Sequence, residues 1–315
     1  MKIFFKGDRT KTKKELREIF RKAEIVSVSN DCFEIKKIKP GVIYNLIPKT
    51  ENIKNVKKVV AENRELCPLA YKKNYYFKSP INTAQKFVIA GPCVIRDFDE
   101  FEKEVFELEK MGIDAIRAPL FKPRSSPYGW EGYGTQGIKK LKEIKRNAKK
   151  PFVGELLDYR LIEKTDEVFD IIQIGARNMK NYVLLKEIGM AKKPVLLKRQ
   201  PKSSFKELLY SAEYLLKYGA KKIIICERGD NLSDGISSIN IDIIKKIKNE
   251  IKIPVVSDLS HSAKDREKIN LFLNKTKEIS DGFMIETSLN PELSPTDTKQ
   301  IISLKELKNL IEKIK

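Results

Sequence analysis

Four residues able to bind a metal stand at separate points in this chain of 315 residues, three where an apolar run gives way to a polar loop and the fourth within the loop that follows the last such run. They are Cys93 in "AGPC", His261 in "PVVSDLSHS", Glu286 in "GFMIET" and Asp297 in "SPTDTKQ", and His261 is the only histidine of the chain. A thiolate, an imidazole and two carboxylates make a mixed S/N/O donor set, which suits Mn, Fe, Co or Zn better than Mg or Ca. A second set at the same kind of position is cationic: Arg117, Lys122, Arg124, Arg177, Lys198 and Arg228. Cations of this number around one cavity imply a strongly anionic ligand, most simply phosphate esters and a carboxylate. Glu155 in "FVGELL", Arg199 in "LLKR", Glu227 in "CERG" and Asp258 beside the histidine complete the reactive positions.

Taken singly, each of these residues has an ordinary structural reading. Free cysteines are usually buried and inert, carboxylates cap helices, and long cations reach to solvent from the ends of elements. Cys226, in the middle of "IIIC", is read as core packing. The argument for a site is the register of the whole set with the elements that hold it. From residue 87 onward short β-branched runs alternate with amphipathic stretches: "FVIAGP", "AIRAPL", "FVGELL", "DIIQIG", "PVLLKR", "KIIICER", "PVVSDLS" and "GFMIET" are the strands. Helical patterns separate them, "DFDEFEKEVFELEKMG", "QGIKKLKEIKRNA", "DYRLIEKTDEV", "NYVLLKEIGM", "SFKELLYSAEYLLKYG", "NIDIIKKIKNEI" and "DREKINLFLNKTKEI", and "SLKELKNLIEKIK" closes the chain. Eight such units in ~230 residues predict a (β/α)8 TIM barrel, in which reactive groups gather at the C-terminal ends of the strands. A doubly wound open sheet is the alternative, and it seldom repeats the unit so often without interruption.

The first part of the chain has a different pattern: "KIFFK" as a strand, "TKKELREIFRKAE" as a helix, "IVSVSN" and "CFEIKKI" as strands and "ENIKNVKKVVAE" as a second helix. This predicts a small α+β ferredoxin-like module over residues 1–75 with its linker, ahead of a barrel over 76–315. Lys and Arg total 63 against 43 Asp and Glu, a net charge of +20. Such a charge could attract nucleic acid, but most lysines lie on solvated helical faces such as "IKKLKEIKRNAKK". The four cysteines show no CxxC spacing, no apolar run approaches the ~20 residues of a membrane span, and "MKIFFKGDRTKTKKEL" lacks the features of a secretory signal. A cytoplasmic enzyme with small-molecule substrates, no nucleic acid and no membrane is therefore expected.

The ordered motifs "AGPC", "RAPLFKPRSSPYGWEGYG", "DIIQIGARNMKN", "PVLLKR", "IIICERG", "SDLSHS" and "IETSLNPELSPTDTKQ" resemble the type I 3-deoxy-D-arabino-heptulosonate-7-phosphate (DAHP) synthases of the beta subclass, from about residue 86 to the end. The resemblance implies a transferase of the shikimate pathway, the first step toward chorismate and the aromatic amino acids. It would condense phosphoenolpyruvate with erythrose 4-phosphate and water. It implies a divalent metal ion on Cys93, His261, Glu286 and Asp297; phosphoenolpyruvate on Arg117, Lys122, Arg177, Lys198 and Arg228; and the aldose phosphate on Arg124 and Ser125. Lys122 is expected to donate a proton to the new alkoxide, its pKa lowered by like-charged neighbours, and Glu155 to orient Lys198 or a water. The same subclass includes octulosonate-phosphate synthases, which use arabinose 5-phosphate and resemble "KANRSS" where this chain reads "KPRSSP"; Pro123 before Arg124 favours the four-carbon sugar. A Tyr or Phe effector at the N-terminal module and a homodimer or homotetramer are further implications. The chain departs from the family pattern at Arg96 where Glu is usual, at Leu259 in "DLSH", in "SAKDRE" where glycines commonly follow that motif, and at Gln200 in "KRQ".

Overall fold

A computed structural model describes the chain except residues 39–41, 72–73, 125 and 232–236. It divides into two compact units, Met1–Tyr71 and Lys72–Lys315, a few residues ahead of the expected boundary.

The N-terminal unit runs β1 (Lys2–Phe5), α1 (Arg9–Ile19), β2 (Glu24–Ser29), β3 (Cys32–Lys36), α2 (Val42–Glu51), β4 (Val56–Val60) and a short α3 (Asn63–Leu66). Its sheet is antiparallel with order β2-β3-β1-β4, the ferredoxin-like arrangement. The second helix lies upstream of the stretch predicted for it. "VKKVV" is instead β4, because β-branched residues on a half-buried edge pair with β1. Pro48 inside α2 obscures the helical pattern there.

The second unit is a closed parallel barrel. Its strands are β5 (Phe87–Gly91), β6 (Ala115–Arg117), β7 (Phe152–Glu155), β8 (Ile171–Ile174), β9 (Val195–Lys198), β10 (Ile223–Glu227), β13 (Val255–Asp258) and β14 (Gly282–Ser288). Neighbours pair in this order, and β14 closes onto β5 with Gly282 opposite Phe87 and Met284 opposite Ile89. All eight predicted strands are present. Outside lie α4 (Phe98–Lys110), α5 (Ile138–Asn147), α6 (Tyr182–Met190), α7 (Phe205–Lys217), α8 (Ile241–Glu250), α10 (Ile269–Thr276) and α11 (Leu304–Ile314), while the short α9 (Leu259–Ala263) follows directly on the C-terminal end of β13. The short strands β11 (Asp230–Asn231) and β12 (Ser237–Ser238) pair with each other ahead of α8, and β15 (Ile302–Ser303) pairs with the end of β14.

Helix starts follow capping chemistry. Asp97, Asn181 and Asn240 each accept a backbone N–H of the first turn, and Ser204 and Ser303 form capping boxes with Glu207 and Glu306. The predicted helix "DYRLIEKTDEV" is replaced by two single-turn 3-10 segments, Tyr159–Leu161 and Glu163–Thr165. Thr165 Oγ1 bonds back to the Leu161 and Ile162 carbonyls, competition that weakens a regular helix.

Inward side chains fill the barrel: Phe87, Ile89, Ala115, Val153, Ile171, Leu196, Ile224, Cys226, Val256 and Met284 form one buried cluster with Ile81, and Phe77 packs against it. Cys226 is core, as the sequence predicts. Residues 74–86 thus belong to the barrel, tied to it by the hydrogen bond of Tyr76 Oη to Asp281 Oδ1 (3.1 Å) and by Lys248, which donates to Tyr76 Oη (2.7 Å). With this core below, the strand ends form a rigid ring on which polar groups can be held.

Candidate active site

At the end of β5 the chain turns through Gly91, whose φ of +147° and closeness to Arg117 O (2.7 Å from where a Cβ would sit) exclude a side chain. That turn places Cys93 over the barrel, buried, with Sγ 2.9 Å from Asp297 Oδ2. One ligand atom each of Cys93, Glu286 and Asp297 lies within 4.8 Å of the other two, close enough to share a single ion. Glu286, fully buried on β14, is held on every side. Its Oε1 accepts from Arg117 Nη1 (2.7 Å), Gln300 Nε2 donates to its Oε2 (2.5 Å), and its backbone N–H donates to Ser260 Oγ (2.8 Å). Asp297 sits in a loop at φ +59°, the left-handed region, which turns its carboxylate back toward the sulfur.

His261 adjoins this trio without being part of it. Its Nε2 is 3.5 Å from Glu286 Oε1, and its Nδ1 is 2.9 Å from Asp258 Oδ2. A carboxylate behind a histidine is the arrangement that orients an imidazole toward a metal. Asp258 also caps α9, accepting the His261 N–H at 3.1 Å, and pairs with Lys198 Nζ at 2.7 Å.

The donors and cations interlock. Lys122 Nζ contacts Cys93 Sγ and lies 3.3 Å from Asp297 Oδ2. Burial works against its charge, but Cys93, Glu286 and Asp297 outweigh burial and raise its pKa above the ordinary lysine value. This corrects the expectation of a lowered value: the nearest neighbours of the ammonium are acids, not cations. Arg117 is held above its ordinary value in the same way, against burial, by Glu286, Cys93 and Asp258. Burial raises the carboxyls, yet His261 and Arg117 draw Glu286 far below the usual range, and His261 and Lys198 do the same for Asp258. Burial pushes the Cys93 thiol up to about 12, so its sulfur ionises at neutral pH only with a strong cation at hand, which a bound divalent ion provides. The donor chemistry therefore fits a thiophilic divalent ion.

Beside this group opens a cleft lined by Lys122, Pro123, Glu155, Gly175, Ala176, Arg177, Lys198, Arg228 and His261. Four of the expected cations meet in it, and the buried Arg228 Nε has no hydrogen-bond partner among the described residues, a donor placed for a ligand. Arg117 stands behind the cleft on Glu286. Arg124 does not line the cleft, since its side chain lies against Gly129, with Nε 2.8 Å from where a Cβ would sit there. Ser125 lies outside the described residues. Glu155 faces the cleft but is engaged by Gln173 Nε2, which donates to its Oε2 at 2.7 Å. The partner of Lys198 is Asp258, which corrects the Lys198 half of the role expected of Glu155 and leaves its orienting of a water as the other half.

The family model described as the DAHP synthetase I family matches residues 80–315. The chain belongs to that family. A phospho-2-dehydro-3-deoxyheptonate aldolase of Thermotoga maritima is 34% identical over 231 residues, 72% of this chain and 68% of that protein. A 2-dehydro-3-deoxyphosphooctonate aldolase of Rickettsia typhi is 27% identical over 258 residues, 74% of this chain and 92% of its own. The crystal structure of a Thermotoga maritima phospho-2-dehydro-3-deoxyheptonate aldolase (DAHP synthase) superposes with a TM-score of 0.84 at 27% identity, covering 99% of this chain and 95% of that one.

The departures from the family pattern lie off the cleft. Arg96 pairs with Glu100, Leu259 is buried, and the Gln200 carbonyl accepts from Arg199 Nη1 at 3.2 Å. Asp258, Gln300 and Gln173 are the site residues that sequence reasoning left without a role. Asp258 stood beside the histidine in plain view, whereas the two glutamines are neutral and gave no signal.

Proposed function

We propose that the chain is a DAHP synthase: it joins phosphoenolpyruvate to erythrose 4-phosphate, consumes one water and releases inorganic phosphate. The observation that supports this reading best is the contact of Lys122 with both Cys93 and the cationic cleft, which puts an anion site and an S/O donor group against each other. Cys93, Glu286 and Asp297, with His261 turned in by Asp258, would hold a divalent ion of the Mn, Fe, Co or Zn kind. When bound, that ion supplies Lewis acidity toward a carbonyl oxygen.

The residues of the chain do the rest. Arg117, Lys122, Arg177, Lys198 and Arg228 hold the carboxylate and phosphate of phosphoenolpyruvate, and Arg124 with Ser125 takes the far phosphate of the aldose. So fixed, C3 of phosphoenolpyruvate attacks the aldehyde carbon, forming the new C–C bond while positive charge develops at C2. The charged Lys122 ammonium gives a proton to the aldehyde oxygen as it becomes an alkoxide. Water adds at C2, and the resulting hemiketal phosphate loses phosphate by C–O cleavage. The separate N-terminal unit suits a regulatory module taking Tyr or Phe, and the assembly a dimer or tetramer.

Phosphate release tests the reading, measured with erythrose 4-phosphate and in parallel with arabinose 5-phosphate, with a chelated control and His261→Ala. Release with erythrose 4-phosphate alone, lost on chelation and on substitution, is expected. Preference for arabinose 5-phosphate would move the chain to the octulosonate branch, and no release with either sugar would end the proposal.

A further inference from the structure

Asp258 faces both halves of the site and belongs to neither set of ligands. Its Oδ2 accepts a hydrogen bond from Lys198 Nζ at 2.7 Å, while His261 Nδ1 approaches the same oxygen within 2.9 Å without an aligned N–H···O bond. Its Oδ1 is committed to the His261 backbone N–H at 3.1 Å. The side chain is fully buried, so water cannot stand in for either partner, and the Lys198 ammonium and the His261 imidazole compete for one oxygen.

We propose that Asp258 is a positioning residue that couples the anion cleft to the metal donors: an anion that engages Lys198 turns Oδ2 over to His261 and tightens the hold of the imidazole on a metal. The inference rests on the reading that Lys198 serves phosphoenolpyruvate and His261 a metal. A carboxylate bonded to the far nitrogen of a ligating histidine fixes the tautomer and orientation of the ring and raises its basicity. Oδ2 does this only in part while an ammonium shares it. Phosphoenolpyruvate brings its own negative charge to Lys198, and the imidazole N–H is then the remaining partner of Oδ2. Linkage requires the converse as well, so that a bound metal tightens phosphoenolpyruvate by the same factor.

The test titrates the full chain with Co²⁺, with and without phosphoenolpyruvate and with no aldose present. The visible and thiolate charge-transfer absorption of Co²⁺ reads binding without turnover. In the parent chain phosphoenolpyruvate should tighten Co²⁺ by roughly tenfold, inside the ~5–150-fold range of coupled sites. In Asp258→Asn, which keeps an oxygen for the His261 N–H, the factor should fall below about twofold. Lys198→Met should bind Co²⁺ more tightly than the parent chain when phosphoenolpyruvate is absent, and this gain should vanish when Asp258→Asn is added. Should Asp258→Asn fail to fold, Lys198→Met decides alone: unchanged or weaker Co²⁺ binding overturns the coupling. A full phosphoenolpyruvate effect in folded Asp258→Asn also overturns it, as does Co²⁺ binding in the parent chain that ignores phosphoenolpyruvate, and both leave the metal reading standing. A parent chain that takes up no Co²⁺ with thiolate absorption overturns coupling and metal reading together.

Discussion

Replacing Arg199 by methionine should destabilise the barrel by about 3–5 kcal/mol, the usual cost of removing one partner from a buried ion pair. The side chain of Arg199 is 1% exposed and that of Glu227 0%. The guanidinium grips Glu227 through Nε and Nη2, reaches Asp230 Oδ1 at 2.7 Å, and donates from Nη1 to the Ser203 carbonyl at 2.9 Å. Methionine fills much of the volume but leaves the Glu227 carboxylate in the interior with the Gly229 N–H (2.8 Å) and a longer contact to the Asn240 N–H (3.4 Å). Asp230 keeps the Lys202 N–H and the Asn240 amide, so the loss falls chiefly on Glu227. At ~2–4 °C per kcal/mol for a unit of this size, the melting temperature should drop by roughly 6–20 °C. Adding Glu227→Leu removes the stranded charge and should restore most of the loss. Urea unfolding followed by Trp130 fluorescence isolates the barrel, because that tryptophan is the only one in the chain and lies in the second unit. A loss under about 1 kcal/mol for Arg199→Met at unchanged m-value, or a double variant no more stable than the single one, would refute the reasoning.

Gly175→Ala would set a Cβ 1.9 Å from Glu155 Oε1, so it should break the Glu155–Gln173 bond and cost ~1–3 kcal/mol; unaltered melting and phosphoenolpyruvate KM would count against that geometry. Gln300→Leu leaves Glu286 Oε2 without its donor and should weaken metal binding by ~10–100-fold in a competition titration with a coloured chelator. Burial raises the Glu104 carboxyl to about 7 despite its hydrogen bonds from Ser288 Oγ and the Leu289 N–H. The folded chain then binds that proton more tightly than the unfolded one, so this group stabilises the fold at low pH and the contribution is lost as pH rises from about 4.5 through 7. Urea midpoints of the parent chain should therefore fall relative to Glu104→Gln between pH 5 and pH 8, and parallel profiles would sink the assignment.

The barrel was legible because its strands are buried on both faces and read as apolar runs at regular intervals, with a reactive residue closing each. Where local chemistry was ambiguous the pattern misled: "VKKVV" has apolar spacing compatible with a helix, and only pairing with β1 decides for a strand. "DYRLIEKTDEV" has helical periodicity but folds as single turns. The site was legible as a list of side chains and not as a list of pairs. That Lys198 meets Asp258 rather than Glu155, and that Lys122 sits among acids rather than cations, depends on which neighbouring strand ends face each other across the mouth. Gln300 and Gln173 escaped notice because a neutral amide becomes informative only when a buried carboxylate is seen to lean on it.

Ile81 and Phe77 pack against the interior residues of the strands, upstream of the first strand itself. In the history of such chains, residues 74–86 must therefore travel with the barrel whenever it is recombined with a different leading module. A fusion junction placed just before Phe87 would strip away the floor of the barrel, whereas one placed near residue 72 would pass on a self-contained cartridge. Exchange of leading modules among relatives should accordingly leave its scars in the segment between β4 and Tyr75, and not in the apolar run that opens the barrel.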